Sequence, residues 1–297
     1  MNDRKFWLKL VTVLAAVMMI MAACGEDEGL EEEPGAGGGE ETGGDYTLIA
    51  DGHLTVGSDI PYPPFEFEEG GALTGFDVDL VRAVAEKLGL ENTDDDWIST
   101  NFDTIFQQLA SGTKFDIVVA ATTAYAPDGS PAAETVAERR EAVDFTVAYY
   151  PSLQSTTVDA SKSPDIASYE DLPDGARVAV QRATTGAFYA EENLAPRLEL
   201  VDFAQAPPMY QALLSGQVDA VFNDLPVSLD AIKDNDTLEV VEEVETGEEY
   251  AMAVNKENPA LLEAIDAALE ELYSDGTYAE IFKKYFPEQP LPDYASE

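Results

Sequence analysis

Residues able to do covalent or metal chemistry are scarce in this 297-residue chain, which has one histidine, His53, and one cysteine, Cys24. A His-rich metal site or a Ser-His-Asp triad is excluded unless His53 itself serves. His53 precedes a candidate strand and has no evident catalytic partner, so a structural or surface role is expected. A disulfide within the chain is excluded outright. The runs Asp94-Asp95-Asp96 and Asp234-Asn235-Asp236 lack the spacing and the glycine of a calcium loop and read as solvated turns. Sixteen Lys and Arg against 59 Asp and Glu leave a net charge of −43. No net basic field then exists to displace phosphate counterions, and nucleic acid is not a partner. At 45% hydrophobic residues the chain can still bury a real core. Self-repulsion of this size is most tolerable where salt shortens the screening length. Most enzyme chemistries are removed, and no metal or cofactor is expected.

Cys24 has a chemistry of its own. Arg4, Lys5 and Lys9 precede an apolar run from Leu10 to Ala23, the pattern of an export signal. That run is short for a spanning helix, which needs about 20 apolar residues. It closes in Met21-Ala22-Ala23-Cys24, which resembles a bacterial lipobox with Met in place of the usual Leu. The expectation is a lipoprotein signal peptide over 1–23 and a lipid on Cys24 that holds the protein to a membrane. Residues 24–45, mostly Gly, Glu and Asp after the cysteine, bury nothing and read as a disordered acidic tether.

From Tyr46 onward short apolar strands alternate with amphipathic helices, the rhythm of an α/β fold. Strands are expected near 53–57, 116–121, Arg177–Gln181, 218–222 and 250–254. A helix should start at Asp77 as N-cap, show Val78, Val81, Ala85 and Leu88 on one face, and end at Gly89. Residues 102–109 read as a further helix. Asn258-Pro259 opens a long one with Leu262, Ile265, Leu269 and Leu272 on one face, closing near Gly276. A last helix covers 278–286. Pro164 and Pro173 separate two α/β stretches, and periodicity alone leaves open which of them the chain after Tyr250 joins.

Specific motifs lie on this frame. They are Val56-Gly57-Ser58-Asp59-Ile60-Pro61-Tyr62-Pro63-Pro64-Phe65-Glu66-Phe67, then Gly75-Phe76-Asp77-Val78-Asp79-Leu80, and Glu138-Arg139-Arg140-Glu141-Ala142-Val143-Asp144-Phe145-Thr146. Further on come Val178-Ala179-Val180-Gln181-Arg182-Ala183-Thr184-Thr185, Gly216-Gln217-Val218-Asp219-Ala220-Val221-Phe222-Asn223-Asp224, and Asp275-Gly276-Thr277-Tyr278 with Lys283-Lys284-Tyr285-Phe286. In order and spacing, over about residues 50–286, the chain resembles the bacterial extracellular solute-binding proteins of family 3. These are the polar-amino-acid receptors of ABC importers. The resemblance implies a two-lobed α/β fold of the type II periplasmic-binding-protein kind, with two hinge crossovers and a ligand cleft between the lobes. By analogy lobe 1 is 46–148 plus 251–297, lobe 2 is 154–245, and the hinges lie at about 149–153 and 246–250.

The resemblance also implies a site for a free amino acid. Arg139 is the position of the α-carboxylate arginine, and its planar fork of donors suits that task. Thr123, the Ala121 amide and Thr185 at the start of a helix should assist it. Asp224 corresponds to the acid that holds the α-ammonium. Asp59 binds a side-chain ammonium or orders the Tyr62 loop. Tyr62 and Phe102 stand as aromatic walls for the side chain, while Gln181 and Asn223 occupy positions that vary with ligand. Two departures stand out. Ala183 replaces the usual glycine before the Thr pair, and 126–137 lengthens the link to Arg139, its Pro127-Asp128-Gly129 reading as a surface insertion at the cleft mouth.

The expected function is an extracytoplasmic, lipid-anchored receptor, monomeric, that closes around an amino acid and delivers it to a membrane permease–ATPase complex. Asp59 with two aromatic walls favours a cationic ligand, and Gln181 with Asn223 favours glutamine or another polar one. The alternatives are an enzyme resembling cyclohexadienyl or arogenate dehydratases on the same fold, and a ligand sensor.

Overall fold

A computed structural model describes residues 46–296. The expected signal peptide, Cys24 and the tether lie outside the described residues. A five-stranded sheet has the order β4-β1-β5-β13-β7, built from β1 (Val56–Ser58), β4 (Trp97–Ser99), β5 (Ile117–Val118), β7 (Val143–Phe145) and β13 (Ala253–Asn255). A six-stranded sheet has the order β10-β9-β11-β8-β12-β6. Its strands are β6 (Thr123–Tyr125), β8 (Tyr150–Asp159), β9 (Arg177–Gln181), β10 (Glu199–Phe203), β11 (Ala220–Asp224) and β12 (Leu238–Tyr250). A small hairpin, β2 (Phe67–Glu69) with β3 (Ala72–Thr74), stands apart. Within each sheet the strands that helices connect run parallel, as βαβ units require (β1 with β4 and β5, β9 with β10 and β11).

Besides the excursion of β6 between β5 and β7, the chain passes between the sheets twice, from β7 through 146–149 to β8, and from β12 through 251–252 to β13. The two passages lie side by side, because Tyr150 opens β8 opposite Tyr250 at the end of β12. Their rings stack with centroids 5.6 Å apart. Phe65 packs edge-on to Tyr150 at 5.2 Å, and Phe286 approaches the same ring to 4.9 Å. An aromatic cluster thus fixes the passages against the first sheet's helices. β6 hydrogen-bonds to β12 at Glu249 and Tyr250, so the segment after β5 is tied to the second sheet.

Eight helices occur among the described residues: α1 (Phe76–Lys87), α2 (Ile105–Ala110), α3 (Pro131–Ala142), α4 (Thr185–Asn193), α5 (Ala206–Ser215), α6 (Leu225–Ile232), α7 (Pro259–Asp275) and α8 (Thr277–Tyr285). α7 and α8 pack on α1. In α1 the face containing Val78, Val81 and Ala85 is buried together with Leu80 and Val84. Asp77 does not cap this helix as expected, since Gly75 is the N-cap and Asp77 turns into the interior with no exposure. Gly75 has φ +136°, and a Cβ on it would run into the Phe65 carbonyl. Residues 102–109 begin as a 3-10 turn over Phe102–Thr104 before α2. The insertion at 126–137 is also not the surface loop expected. Its exposed turn leads directly into α3, whose Ala132, Thr135, Val136 and Arg139 are buried, and α3 packs on α4.

Gly75→Ala combines a forbidden φ with a backbone collision, so it should destabilise the fold by about 3 kcal/mol or more in denaturant unfolding. A loss below about 1 kcal/mol would show that this entry to α1 relaxes freely.

Candidate functional site

Strand ends of the two sheets meet around one cavity, lined by Asp59, Tyr62, Phe102, Thr123, Arg139, Gln181, Thr185 and Asp224, together with Glu66, Ala120, Ala121 and Thr184. Its volume is about 20 Å³, close to what a single water needs. The facing groups are in direct contact. Gln181, at the end of β9, donates from Nε2 to Asp59 Oδ2 at 2.7 Å, beyond the end of β1. Tyr62 donates its hydroxyl to Asp224 Oδ2 at 2.6 Å, at the end of β11. A molecule larger than water enters only if these contacts part.

Arg139 lies on α3 and is 5% exposed. Its Nη1 donates to the Thr123 carbonyl at 2.8 Å and its Nη2 to the Ala183 carbonyl at 3.2 Å. The guanidinium carbon lies 5.2 Å from the centroids of both Phe102 and Phe106. Phe102, expected as a wall for a ligand side chain, is thus also a platform for the arginine. Burial pulls the Arg139 pKa down to about 10, partly offset by Glu248 and Asp224 nearby, so the group stays cationic at neutral pH.

Two carboxyl groups face the same space. Burial raises Asp59 to about 6 against the hydrogen bonds from Gln205 and Gln181. Burial likewise raises Asp224 to about 6, against hydrogen bonds from Tyr250, Tyr62 and Gln154. Gln154 Nε2 reaches Asp224 Oδ1 at 2.6 Å. Glu66, fully buried, is pushed well above the ordinary carboxylate range by burial and by Asp77. Asn223 is buried and accepts from the Tyr62 hydroxyl at 3.3 Å, so it touches a cavity residue without lining the cavity.

The Ala121 amide, expected to face a ligand carboxylate, donates instead to Asp77 Oδ2 at 3.0 Å. Asp77, with one oxygen toward the end of β5 and toward the Tyr149 hydroxyl, has already claimed that donor. Ala121 and Ala183 both have positive φ, 45° and 62°. The turn at Ala183 thus keeps the left-handed backbone for which glycine is the usual residue. Thr184 caps α4 by accepting from the Ala187 amide at 3.1 Å, which sets Thr185 at the first turn facing the cavity.

Sequence reasoning missed Gln154, Gln205, Tyr250, Phe106 and Glu248. Glu248 on β12 is 1% exposed and accepts from Thr123 Oγ1 at 2.7 Å and from Thr185 Oγ1 at 2.5 Å. None of these lies in a motif whose spacing marks it. His53 faces Asp96 and Glu91, at 3.2 and 3.9 Å, and is not among the lining residues. Asp94 is engaged by Arg82 and the Leu73 amide, and Asp96 by Thr93. Among the described residues no group of three or more His, Cys, Asp and Glu side chains could hold a metal ion.

The model of the bacterial extracellular solute-binding proteins, family 3, matches residues 54–288. The chain belongs to this family. A probable histidine-binding protein of Campylobacter jejuni is 29% identical over 237 residues, 78% of this chain and 84% of that protein. The ABC transporter glutamine-binding protein GlnH of Bacillus subtilis is 27% identical over 288 residues, 96% of this chain and 98% of that one. An ancestral arginine-binding protein, solved bound to arginine, aligns with a TM-score of 0.70 and 36% identity over 79% of this chain and 98% of its own. The fold of this family 3 protein is accordingly the two-lobed type II periplasmic-binding-protein fold. The three relatives are named for three different amino acids, so membership does not select a ligand.

The raised carboxyls give the protein a pH signature. Asp59, Asp77 and Asp224 all stand near 6 when folded, above about 3.9 for an unfolded aspartate. Their ionisation opposes folding, so the stability they give when protonated is lost as pH rises through about 6. Carboxyls held low by partners, such as Asp275 near 2 beside Lys87, lose their contribution only below about pH 4. The melting temperature without ligand should therefore rise between pH 7.5 and 5, whereas affinity for any cation held by Asp59 and Asp224 should fall over the same interval. Calorimetry at both pH values checks the pair; a melting temperature that drops on mild acidification would contradict the burial of these groups.

Proposed function

We propose that this chain is the receptor of an ABC importer and that it captures a cationic amino acid by closure of its two lobes. The observation that carries the reading is the charge balance of the cavity. One guanidinium, Arg139, faces two carboxyls that ionise near neutral pH, Asp59 and Asp224. A cationic amino acid is the complement, with one carboxylate and two cations. Its α-carboxylate goes to Arg139, its α-ammonium to Asp224 and its side-chain cation to Asp59, between Tyr62 and Phe102. A neutral amino acid such as glutamine leaves one buried carboxylate without a cation, which favours the cationic class. Gln181, bonded to Asp59, shapes the distal end, Asn223 acts only through Tyr62, and Thr123 and Thr185 are hydroxyl donors.

Binding without turnover, as a monomer, is the simplest use of such a site. The relatives described above are named as binding proteins, and the hydrogen bonds from Tyr62 and Gln154 that fix Asp224 support its reading as the ammonium partner. The lobes are taken as 46–148 plus 251–297 and 154–245, with closure hinging at about 149–153 and 246–250, where β8 and β12 pair. Anchoring is read from Met21-Ala22-Ala23-Cys24: the signal over 1–23 is removed, the cysteine carries lipid, and 25–45 is the leash outside the cytoplasmic membrane. No helix among the described residues is long and apolar enough to cross a membrane.

Isothermal titration with L-arginine tests the site. Truncating Arg139 or Asp224 to Ala leaves a buried ligand charge unpaired, which costs about 2–5 kcal/mol, or roughly thirty- to several-thousandfold in affinity. Near-wild-type binding by both variants would defeat the assignment.

Cys24→Ala should move the protein from the membrane fraction to the soluble one, because the lipidated cysteine of such proteins carries more than one acyl chain. Unchanged fractionation of the variant would refute the anchor.

A further inference from the structure

The donors assigned to a ligand carboxylate are already holding one. Thr123 Oγ1 and Thr185 Oγ1, 3.3 Å apart, both donate to Oε2 of Glu248. Arg139, whose charge the same carboxylate supports, lies beside them. The other oxygen, Oε1, is buried without a hydrogen-bond partner, a costly state for a carboxylate unless another state compensates for it. Glu248 also lines a second cavity of about 100 Å³, bounded besides by Ser130, Pro131 and Ala132 of the insertion, Tyr189 of α4, and Glu245 and Thr246 of β12. The insertion turn reaches β12 as well, since Pro127 packs where a Cβ on Gly247 would stand.

We propose that Glu248 is a resident carboxylate of the binding site. It holds the two hydroxyls assigned to the α-carboxylate, and an incoming ligand displaces it toward the neighbouring cavity bordered by Ser130, Pro131 and Ala132. This rests on the receptor reading above. Two hydroxyls that belong to different segments, one after β5 and one opening α4, share one acceptor, so Glu248 ties the segments together without ligand. A ligand carboxylate offers the same hydroxyls an equivalent acceptor, and Glu248 withdraws to the side where space exists. The affinity for an amino acid is then the difference between two carboxylates competing for one set of donors. A ligand without a carboxylate has no such competition to win.

Two measurements on the full chain separate this role from a structural one. Titration of wild type and Glu248→Gln with L-arginine and with agmatine, its analogue lacking the α-carboxylate, reads the competition. The variant should bind L-arginine roughly tenfold more tightly, because a neutral amide holds the hydroxyls less strongly than a carboxylate does, and should leave agmatine nearly unchanged. Equal changes for both compounds, or weaker L-arginine binding, would overturn the proposal. Hydrogen exchange without any ligand reads the tie. Glu248→Ala should speed exchange in the segments around Thr123 and Thr185 together, while the core strands β1 and β9 keep their protection. Unchanged exchange in those two segments would overturn it too. Should neither compound bind the wild type, the cationic-ligand reading fails, and the exchange result alone decides the role of Glu248.

Discussion

A guanidinium buried at 5% exposure is costly unless its donors are satisfied, and much of the site follows from it. Arg139 cannot be left among apolar groups, so two backbone carbonyls, Thr123 and Ala183, are brought to its nitrogens and two phenyl rings to its face. Supplying those carbonyls fixes the conformation of both segments. The residue before the Thr184-Thr185 pair takes φ +62°, and two residues before Thr123 the chain takes φ +45°. Each left-handed alanine costs about 1–2 kcal/mol relative to a relaxed backbone. The arginine and its acidic neighbours keep the strain in place, and the strain in turn aims Thr123 and Thr185 at one point.

The carboxyl groups answer the same constraint from the other side. Three of the residues lining the cavity are acids, Asp59, Glu66 and Asp224, against one arginine. Burial raises all three carboxyls. Amides and hydroxyls from the opposite sheet moderate two of them, Gln181 on Asp59 and Tyr62 on Asp224. Glu66 and Asp77 sit deeper, where burial and the neighbouring Asp77 raise the cost of ionising Glu66. Depth alone does not sort these acids: Asp77, buried like Glu66, stands near 6 because the Ala121 amide and the Tyr149 hydroxyl donate to it, whereas Asp77 pushes its neighbour Glu66 further up.

Much of this was legible in the sequence where local physics and spacing agree. Arg177–Gln181 reads as a short apolar run between two polar residues and is β9 throughout. The Asn258-Pro259 start and the Gly276 stop bracket α7, and Gly276 has φ +88°. The lining residues Asp59, Tyr62, Arg139 and Asp224 come from motifs that retain family order. Other features left no signal. β12 is rich in glutamate from Glu239 to Glu249, and this acidic strand, paired with β8 along its length and with β6 only at Glu249 and Tyr250, shows no apolar alternation to read. Glu248 looks like its neighbours in sequence; only the placement of two threonines makes it different. The insertion was read from its turn residues, Pro127-Asp128-Gly129, whereas the burial of Thr135 and Val136 depends on α4, which lies far along the chain. The Ala121 amide was misassigned because its claimant, Asp77, looked like a helix cap and instead points inward.

The closed arrangement also explains how such a site can be selective while presenting mostly polar groups. Two contacts that close the cavity from opposite sides, Gln181 to Asp59 and Tyr62 to Asp224, must be given up or shared when something occupies it. A molecule that restores fewer hydrogen bonds than it breaks leaves a buried donor or acceptor unpaired, at about 1–3 kcal/mol each and more for a charged group. Restoring them all requires groups of the right sign at both ends of the space at once. Selectivity then comes less from the attraction of any one pair than from the penalty for an incomplete set. The penalty is steep because the surroundings that raise Asp59 and Asp224 toward neutrality would also leave an unmatched charge with little water to turn to.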